Sequence, residues 1–88
     1  MTMAVIDNYR ATASTWDSAA HNKILHFDVK PNYRSHVETR DELLKQLRTD
    51  LGDNVRLRVT LETDSFTEYV VLDHDSTRIG LAAVEVVR

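Results

Sequence analysis

The four histidines, together with the acids beside them, are the residues of this chain best suited to bind a metal ion. They are His21, His26, His36 and His74. His26 lies two residues before Asp28 on a predicted strand, and His74 lies between Asp73 and Asp75 in a predicted turn. Imidazole and carboxylate groups are ligands of divalent ions, but acids in turns more often accept hydrogen bonds from backbone amides. None of the histidines has a recognised ligand spacing, so we predict no metal site and no cofactor.

Glu68 is a candidate for general acid–base chemistry. Strand pairing places it on an apolar sheet face between Leu61 and Leu81, where a buried carboxyl would need a partner or a proton. His26 could be that partner. However, the chain has no nucleophile elbow, P-loop or dinucleotide fingerprint, and its two glycines are too few for a loop that cradles phosphate. We therefore predict that the protein is not an enzyme.

Three arginines are the remaining candidates for a binding site. Arg56, Arg58 and Arg78 are predicted to share a sheet face with Tyr69. Guanidinium groups beside an aromatic ring can hold phosphates and stack an unpaired base, which suggests single-stranded nucleic acid as a ligand. The formal net charge of −3 argues against a dedicated binder of duplex DNA, because such domains are usually basic.

The composition is that of a small globular domain. The chain has 88 residues, of which 42% are hydrophobic and 28% charged, so it can bury one core but not two. It has no cysteine, which excludes disulfides and thiolate metal sites. No apolar run approaches the roughly 20 residues of a membrane span, and the first residues lack the pattern of a signal peptide. We expect no membrane association and a cytoplasmic location.

The region 54–88 has the pattern of a three-stranded antiparallel meander. Apolar and polar residues alternate from Val55 to Glu62, which is the period of a half-buried strand. Asp64-Ser65 and the segment 73–76 contain turn-forming residues and separate two further strands. The three strands are predicted at 55–62, 66–72 and 77–87.

One strand and one helix precede the meander. The strand, at 23–30, ends at Pro31, which cannot donate to a ladder. The helix is predicted over 39–51, because Thr39-Arg40-Asp41-Glu42 fits a capping box and Gly52 suits its C-terminal end. Its apolar stripe consists of Leu43, Leu44, Leu47 and Leu51.

These elements predict an α+β fold. The core domain, residues 23–88, is a strand, a helix and a three-stranded antiparallel meander (β-α-β-β-β), with the helix packed on one sheet face. A helix between the first two strands favours a parallel, right-handed crossover. Residues 1–22 are predicted as an N-terminal arm or short helix: the spacing of Tyr9, Ala13 and Trp16 favours a helix, whereas the threonines and serines favour an arm.

The strand pairing divides the sheet into two faces. With Thr63 opposite Phe66 and Leu72 opposite Thr77, both hairpins agree on one apolar face for the helix. Its predicted members are Leu57, Val59, Leu61, Phe66, Val70, Leu72, Ile79, Leu81 and Ala83. The opposite face is cationic at one end and apolar at the other. Its predicted contact residues are Arg56, Arg58, Tyr69, Val71, Arg78 and Val84.

The apolar end of that second face needs a cover. The candidates are the N-terminal segment, with Tyr9 and Trp16, and a second copy of the chain. We therefore expect a small non-enzymatic domain that acts by protein–protein contact, as a regulatory or accessory protein, with a homodimer as one form of that contact. The alternative is single-stranded nucleic-acid binding by the arginines and tyrosine of the same face.

Overall fold

The protein folds as a five-stranded antiparallel sheet with one helix packed against it, as seen in a computed structural model that describes residues 8–16 and 24–87. The elements in chain order are β1 (Asn8–Trp16), β2 (Ile24–Val29), α1 (His36–Leu51), β3 (Arg56–Glu62), β4 (Phe66–Leu72) and β5 (Arg78–Val87). The predicted α+β class is confirmed, as are the strand–helix–meander order and the three meander strands.

The first described segment, Asn8–Trp16, is a strand and not the predicted arm or helix. It lies inside the sheet, whose order is β2-β1-β5-β4-β3, and pairs with β2 on one side and β5 on the other. Ala11, Ala13 and Thr15 are buried and the residues between them face the other way, which is the period of a strand. The threonines that disfavour a helix suit a strand. The rest of the predicted arm, residues 1–7 and 17–22, lies outside the described residues.

The crossover from β2 to β3 spans the whole sheet. Every neighbouring pair of strands is antiparallel, so β2 and β3 point in the same direction. They nevertheless lie at opposite edges, because β1, β5 and β4 lie between them. The predicted parallel crossover therefore joins two edges and creates no parallel pair.

Helix α1 begins at His36, three residues before the predicted start. Ser35 is the N-cap: its Oγ accepts from the Glu38 amide at 3.1 Å, and Glu38 Oε1 accepts from the Ser35 amide at 3.2 Å. Thr39, the predicted cap, is buried inside the helix and donates its hydroxyl to the Ser35 carbonyl at 2.9 Å. Both sequences fit a capping box, and the earlier one is used.

The C-terminal end and the apolar stripe of the helix are as predicted. Gly52 has a positive φ of 119° and donates its amide to the Arg48 carbonyl at 2.9 Å. Leu43 and Leu47 are fully buried, and Leu44 and Leu51 are partly buried against the same core. No helix in residues 8–16 or 24–87 is both long and apolar enough to cross a membrane.

The helix packs on the face opposite to the predicted one. The ladder between β3 and β4 shifts by one residue between Val59 and Leu61, so Val59 lies opposite Tyr69 and not Val70. The β4–β5 ladder also shifts, between Val71 and Leu72. A one-residue shift exchanges the faces of the strand beyond it. The β3–β4 shift puts Leu57 and Val59 on the face of Tyr69 and Val71. The core under α1 is on that face and contains Ala11, Ala13, Phe27, Val29, Tyr69, Val71, Ala82 and Val84.

Candidate functional site

The face of the sheet that points away from α1 is the candidate functional site; we call it the open face. Alternate residues of every strand reach it, because the side chains of a strand point to opposite faces in turn. From β2 across to β3, its central residues are Ile24, His26, Asp28, Arg10, Thr12, Ser14, Trp16, Leu81, Ala83, Glu85, Glu68, Val70, Leu72, Arg56 and Arg58.

One end of the open face is apolar and accessible. Ile24 lies directly opposite Trp16, and Leu81 lies opposite Ser14 on the next strand. Ile24, Trp16 and Leu81 are 63%, 44% and 51% exposed, so no residue in the described part of the chain covers them. Val70 lies opposite Leu81 on β4 but is buried, so the accessible apolar area ends at Leu81.

The other end of the open face is polar and carries both signs of charge. Arg10 lies opposite Glu85 and is 4.0 Å from the carboxylate of Asp28. At the β3 edge, Arg56 and Arg58 are exposed, and Arg56 donates to the Ser76 hydroxyl at 2.5 Å. The surface thus has an apolar area between charged borders.

The six residues predicted to form a contact surface lie on two sides of the sheet. Arg56 and Arg58 are on the open face, and Arg78 is exposed at the start of β5. Tyr69, Val71 and Val84 lie in the core under α1, where they are 3%, 0% and 0% exposed. The expectation that these three are accessible is wrong: they share one face, as predicted, but buried residues of β1 and β2 continue that face and α1 packs on it.

Trp16, Ile24 and Leu81 replace the buried residues as candidate contact residues. The sequence pattern predicts Trp16 in a covering arm and Leu81 under the helix. The signal that could have placed Trp16 is the alternation of β1, in which residues 9, 11, 13 and 15 form one face and Trp16 belongs to the other.

The buried Tyr69 borders a shallow cleft beside the first turns of α1. The cleft has a volume of about 470 Å³ and is also lined by Tyr9, His36, Arg40 and Thr67. Burial raises the pKa of the Tyr69 phenol, and the nearby Arg40 guanidinium partly opposes this. His36 Nε2 is 3.2 Å from the Thr67 hydroxyl, and the His36 ring meets the ring of Tyr9 edge-on. These contacts join the helix to β1 and β4.

The predicted acid–base pair of Glu68 and His26 is not assembled. Glu68 lies on β4 and His26 on β2, with two strands between them, a separation of at least about 14 Å at the usual strand spacing. Glu68 lies on the open face and accepts a hydrogen bond from the Thr60 hydroxyl at 3.1 Å.

Asp73, one of the acids considered as an ion ligand, accepts hydrogen bonds within its own turn. Asp73 accepts the backbone amides of Asp75 and Thr77 with one oxygen, each at 2.9 Å, which closes the turn between β4 and β5. The ligand atoms of Asp73, His74 and Asp75 lie within 4.8 Å of one another. Because the Asp73 oxygen already caps two amides, the arrangement is explained by the turn.

No family model, curated protein or solved structure matches the chain. In the part of the chain that the structure describes, the open face combines an exposed apolar end with charged groups at its borders.

Proposed function

We propose that this protein is a small non-enzymatic domain that acts through protein–protein contact, as a regulatory or accessory protein, and that the open face is its contact surface. The observation that carries the proposal is the exposure of Ile24, Trp16 and Leu81 on one side of the sheet. Large apolar side chains that are contiguous and accessible are typical of interaction surfaces.

The composition of the open face supports this proposal. Tryptophan and arginine contribute most often to the binding energy of protein interfaces, and Trp16, Arg56 and Arg58 all belong to this face. A partner would bury the apolar end and meet the charged groups at its border. A second copy of the chain, packed sheet against sheet, is one such partner. The absence of cysteine agrees with a cytoplasmic location as part of the proposal.

Single-stranded nucleic acid is the alternative ligand. Arg56 and Arg58 still share a face, but Tyr69 is buried on the other side of the sheet. On the open face, Trp16 is three strands away, or about 14 Å at the usual strand spacing, and the partly buried Phe66 lies opposite Glu85 at the other end of β4 from Leu72, the partner of Arg56. A salt-sensitive shift of a short oligonucleotide that is lost in Arg58→Ala would favour this alternative.

The proposal is tested with two substitutions of equal exposure. Leu81 on the open face and Val37 on α1 are both 51% exposed, so Leu81→Asp and Val37→Asp each place a charge at an accessible apolar position. We expect Leu81→Asp to abolish retention of a partner protein by the immobilised domain, and Val37→Asp to leave it unchanged. Equal retention by both variants and the unsubstituted protein would contradict the proposal.

A further inference from the structure

The two edges of the sheet differ in how they are protected from further pairing. The β3 edge has an irregular ladder between Val59 and Leu61 and carries Arg56 and Arg58. Bulges and charged side chains are the usual means of preventing edge-to-edge pairing. The β2 edge has neither feature. Its six residues pair with β1 without a register shift, and Asp28 is the only Asp, Glu, Lys or Arg among them.

The outer edge of β2 is also accessible. In the described part of the chain β2 pairs only with β1, so its other side presents unpaired backbone groups. Leu25 is exposed beside this edge, although it points to the helix side of the sheet, where Phe27 and Val29 are buried. A regular, accessible strand of this kind can add another strand by backbone hydrogen bonding.

Symmetry limits the ways in which two β2 strands can pair. A two-fold axis perpendicular to the sheet keeps both open faces on the same side, so a residue of one open face must lie opposite a residue of the other. The antiparallel pair then has one residue on the axis. With His26 on the axis, the two His26 side chains lie opposite each other and Asp28 lies opposite Ile24 of the partner subunit. With Asp28 on the axis, two carboxylates lie opposite each other.

The register with Phe27 on the axis is complementary. It places His26 opposite Asp28 of the partner subunit, and by symmetry this pair occurs twice. On the helix side it places the exposed Leu25 opposite Val29 of the partner subunit. Opposite charges or a hydrogen bond across a strand pair stabilise it, whereas like charges destabilise it. The present contacts of His26 and Asp28, at 3.0 Å to Ser14 and 4.0 Å to Arg10, are both on the β1 side.

We propose that β2 pairs antiparallel with β2 of a second copy, about a two-fold axis at Phe27, to form a continuous ten-stranded sheet. This inference goes beyond the contact function of the open face, because it uses the edge of the sheet and names the partner. The helices of the two copies lie on the same side of the joined sheet, and the two open faces become one larger surface.

The test is the mass in solution by light scattering over a concentration series, with charge variants of the edge. We expect the mass to rise from 10.1 kDa towards twice that value. His26→Glu places two acids opposite each other, and Asp28→Lys places a base opposite a histidine. Each variant alone should raise the concentration at half-dimerisation by about tenfold or more, since two symmetric pairs are changed.

An equimolar mixture of His26→Glu and Asp28→Lys is the decisive sample. In the mixed dimer the new acid of one chain lies opposite the new base of the other, and the second pair is unchanged. Dimerisation should therefore return towards that of the unsubstituted protein, which loss of folding in either variant would not allow. Leu61→Lys, on the β3 edge, should leave the mass unchanged.

Three results would overturn this inference. One is a mass of 10.1 kDa up to about 1 mM, a concentration that detects even weak association. Another is a mixture that associates no better than its two components. The third is a dimer abolished by Leu81→Asp but insensitive to His26→Glu, which would place self-association on the open face and thus support the proposed function while excluding the β2 edge.

Discussion

At the scale of single residues, Gly80 shows how closely β1 and β5 approach each other. A Cβ atom added at Gly80 would lie 2.5 Å from the Ser14 carbonyl oxygen and 2.7 Å from Thr15 Cγ2. Neither atom can move without shifting the β1 backbone or the buried Thr15. The residue is therefore required by packing, although its φ is not in the left-handed region.

Gly80→Ala is expected to destabilise the fold by about 1–3 kcal/mol, the usual cost of forcing an extra group into a packed position. The free energy of unfolding in urea measures this. Ala83→Val on the same strand is the control: it adds atoms towards the open face, and we expect a change within about 0.5 kcal/mol. A Gly80→Ala protein as stable as the unsubstituted one would show that β1 and β5 do not approach this closely.

The burial of Tyr69 under α1 can be tested at the scale of single residues as well. Because burial raises the pKa of its phenol, the neutral form is favoured in the fold. Its contribution to stability is complete below the ordinary tyrosine pKa and is lost as the pH rises through the raised value. Absorbance titration should show one tyrosine that ionises above the ordinary range and is missing in Tyr69→Phe. If Tyr69 ionised in the ordinary range, it would have to lie on an accessible face.

At the scale of the elements, α1 depends on its first turn. The capping box of Ser35 and Glu38 satisfies two backbone amides. The hydrogen bond from the Ser35 amide is the main cause that lowers the pKa of the Glu38 carboxyl. This contribution to stability is present above the unfolded pKa of glutamate and is lost as the pH falls through the lowered value.

Ser35→Ala should cost about 1 kcal/mol of unfolding free energy, within the range of about 0.5–2 kcal/mol for lost N-caps. Lys45→Ala, at an exposed position in the middle of the helix, is the control and should have little effect. Glu38→Gln should weaken the dependence of stability on pH in the acidic range. If Ser35→Ala were neutral and Thr39→Ala disrupted the first turn, the helix would begin at the position predicted from the sequence.

The elements also show which parts of the fold could be predicted from the sequence. The meander strands and the leucine stripe were predictable, because alternation and helical spacing depend on burial alone. The strand at Asn8–Trp16 has only a weak signal: its buried positions hold two alanines and a threonine, and the spacing of Tyr9, Ala13 and Trp16 fits a helix as well. The choice of face was not predictable, because buried residues of β1 and β2 continue the face of Tyr69 and Val84. The irregularity near Thr60, which moves Leu57 and Val59 onto that face, leaves no signal in the alternation of β3.

At the scale of the whole molecule, one helix covers only one side of the sheet. α1 packs on β1, β2 and β5, and the open face is left with an apolar end that no described residue covers. Of the six predicted contact residues, the three arginines lie on the open face or beside it, whereas Tyr69, Val71 and Val84 lie in the core. The proposed contact function thus depends on Trp16, Ile24 and Leu81, and the inferred dimer depends on the adjoining β2 edge.

The most direct test of the central claim is a comparison of the proteins retained from a cell extract by the immobilised domain, by Leu81→Asp and by Val37→Asp, quantified by mass spectrometry. A thermal melt of each variant confirms that it is folded. We predict a ligand that binds the unsubstituted domain and Val37→Asp equally and is lost with Leu81→Asp. Retention of the same ligands at the same level by folded Leu81→Asp would contradict the claim that the open face is the contact surface.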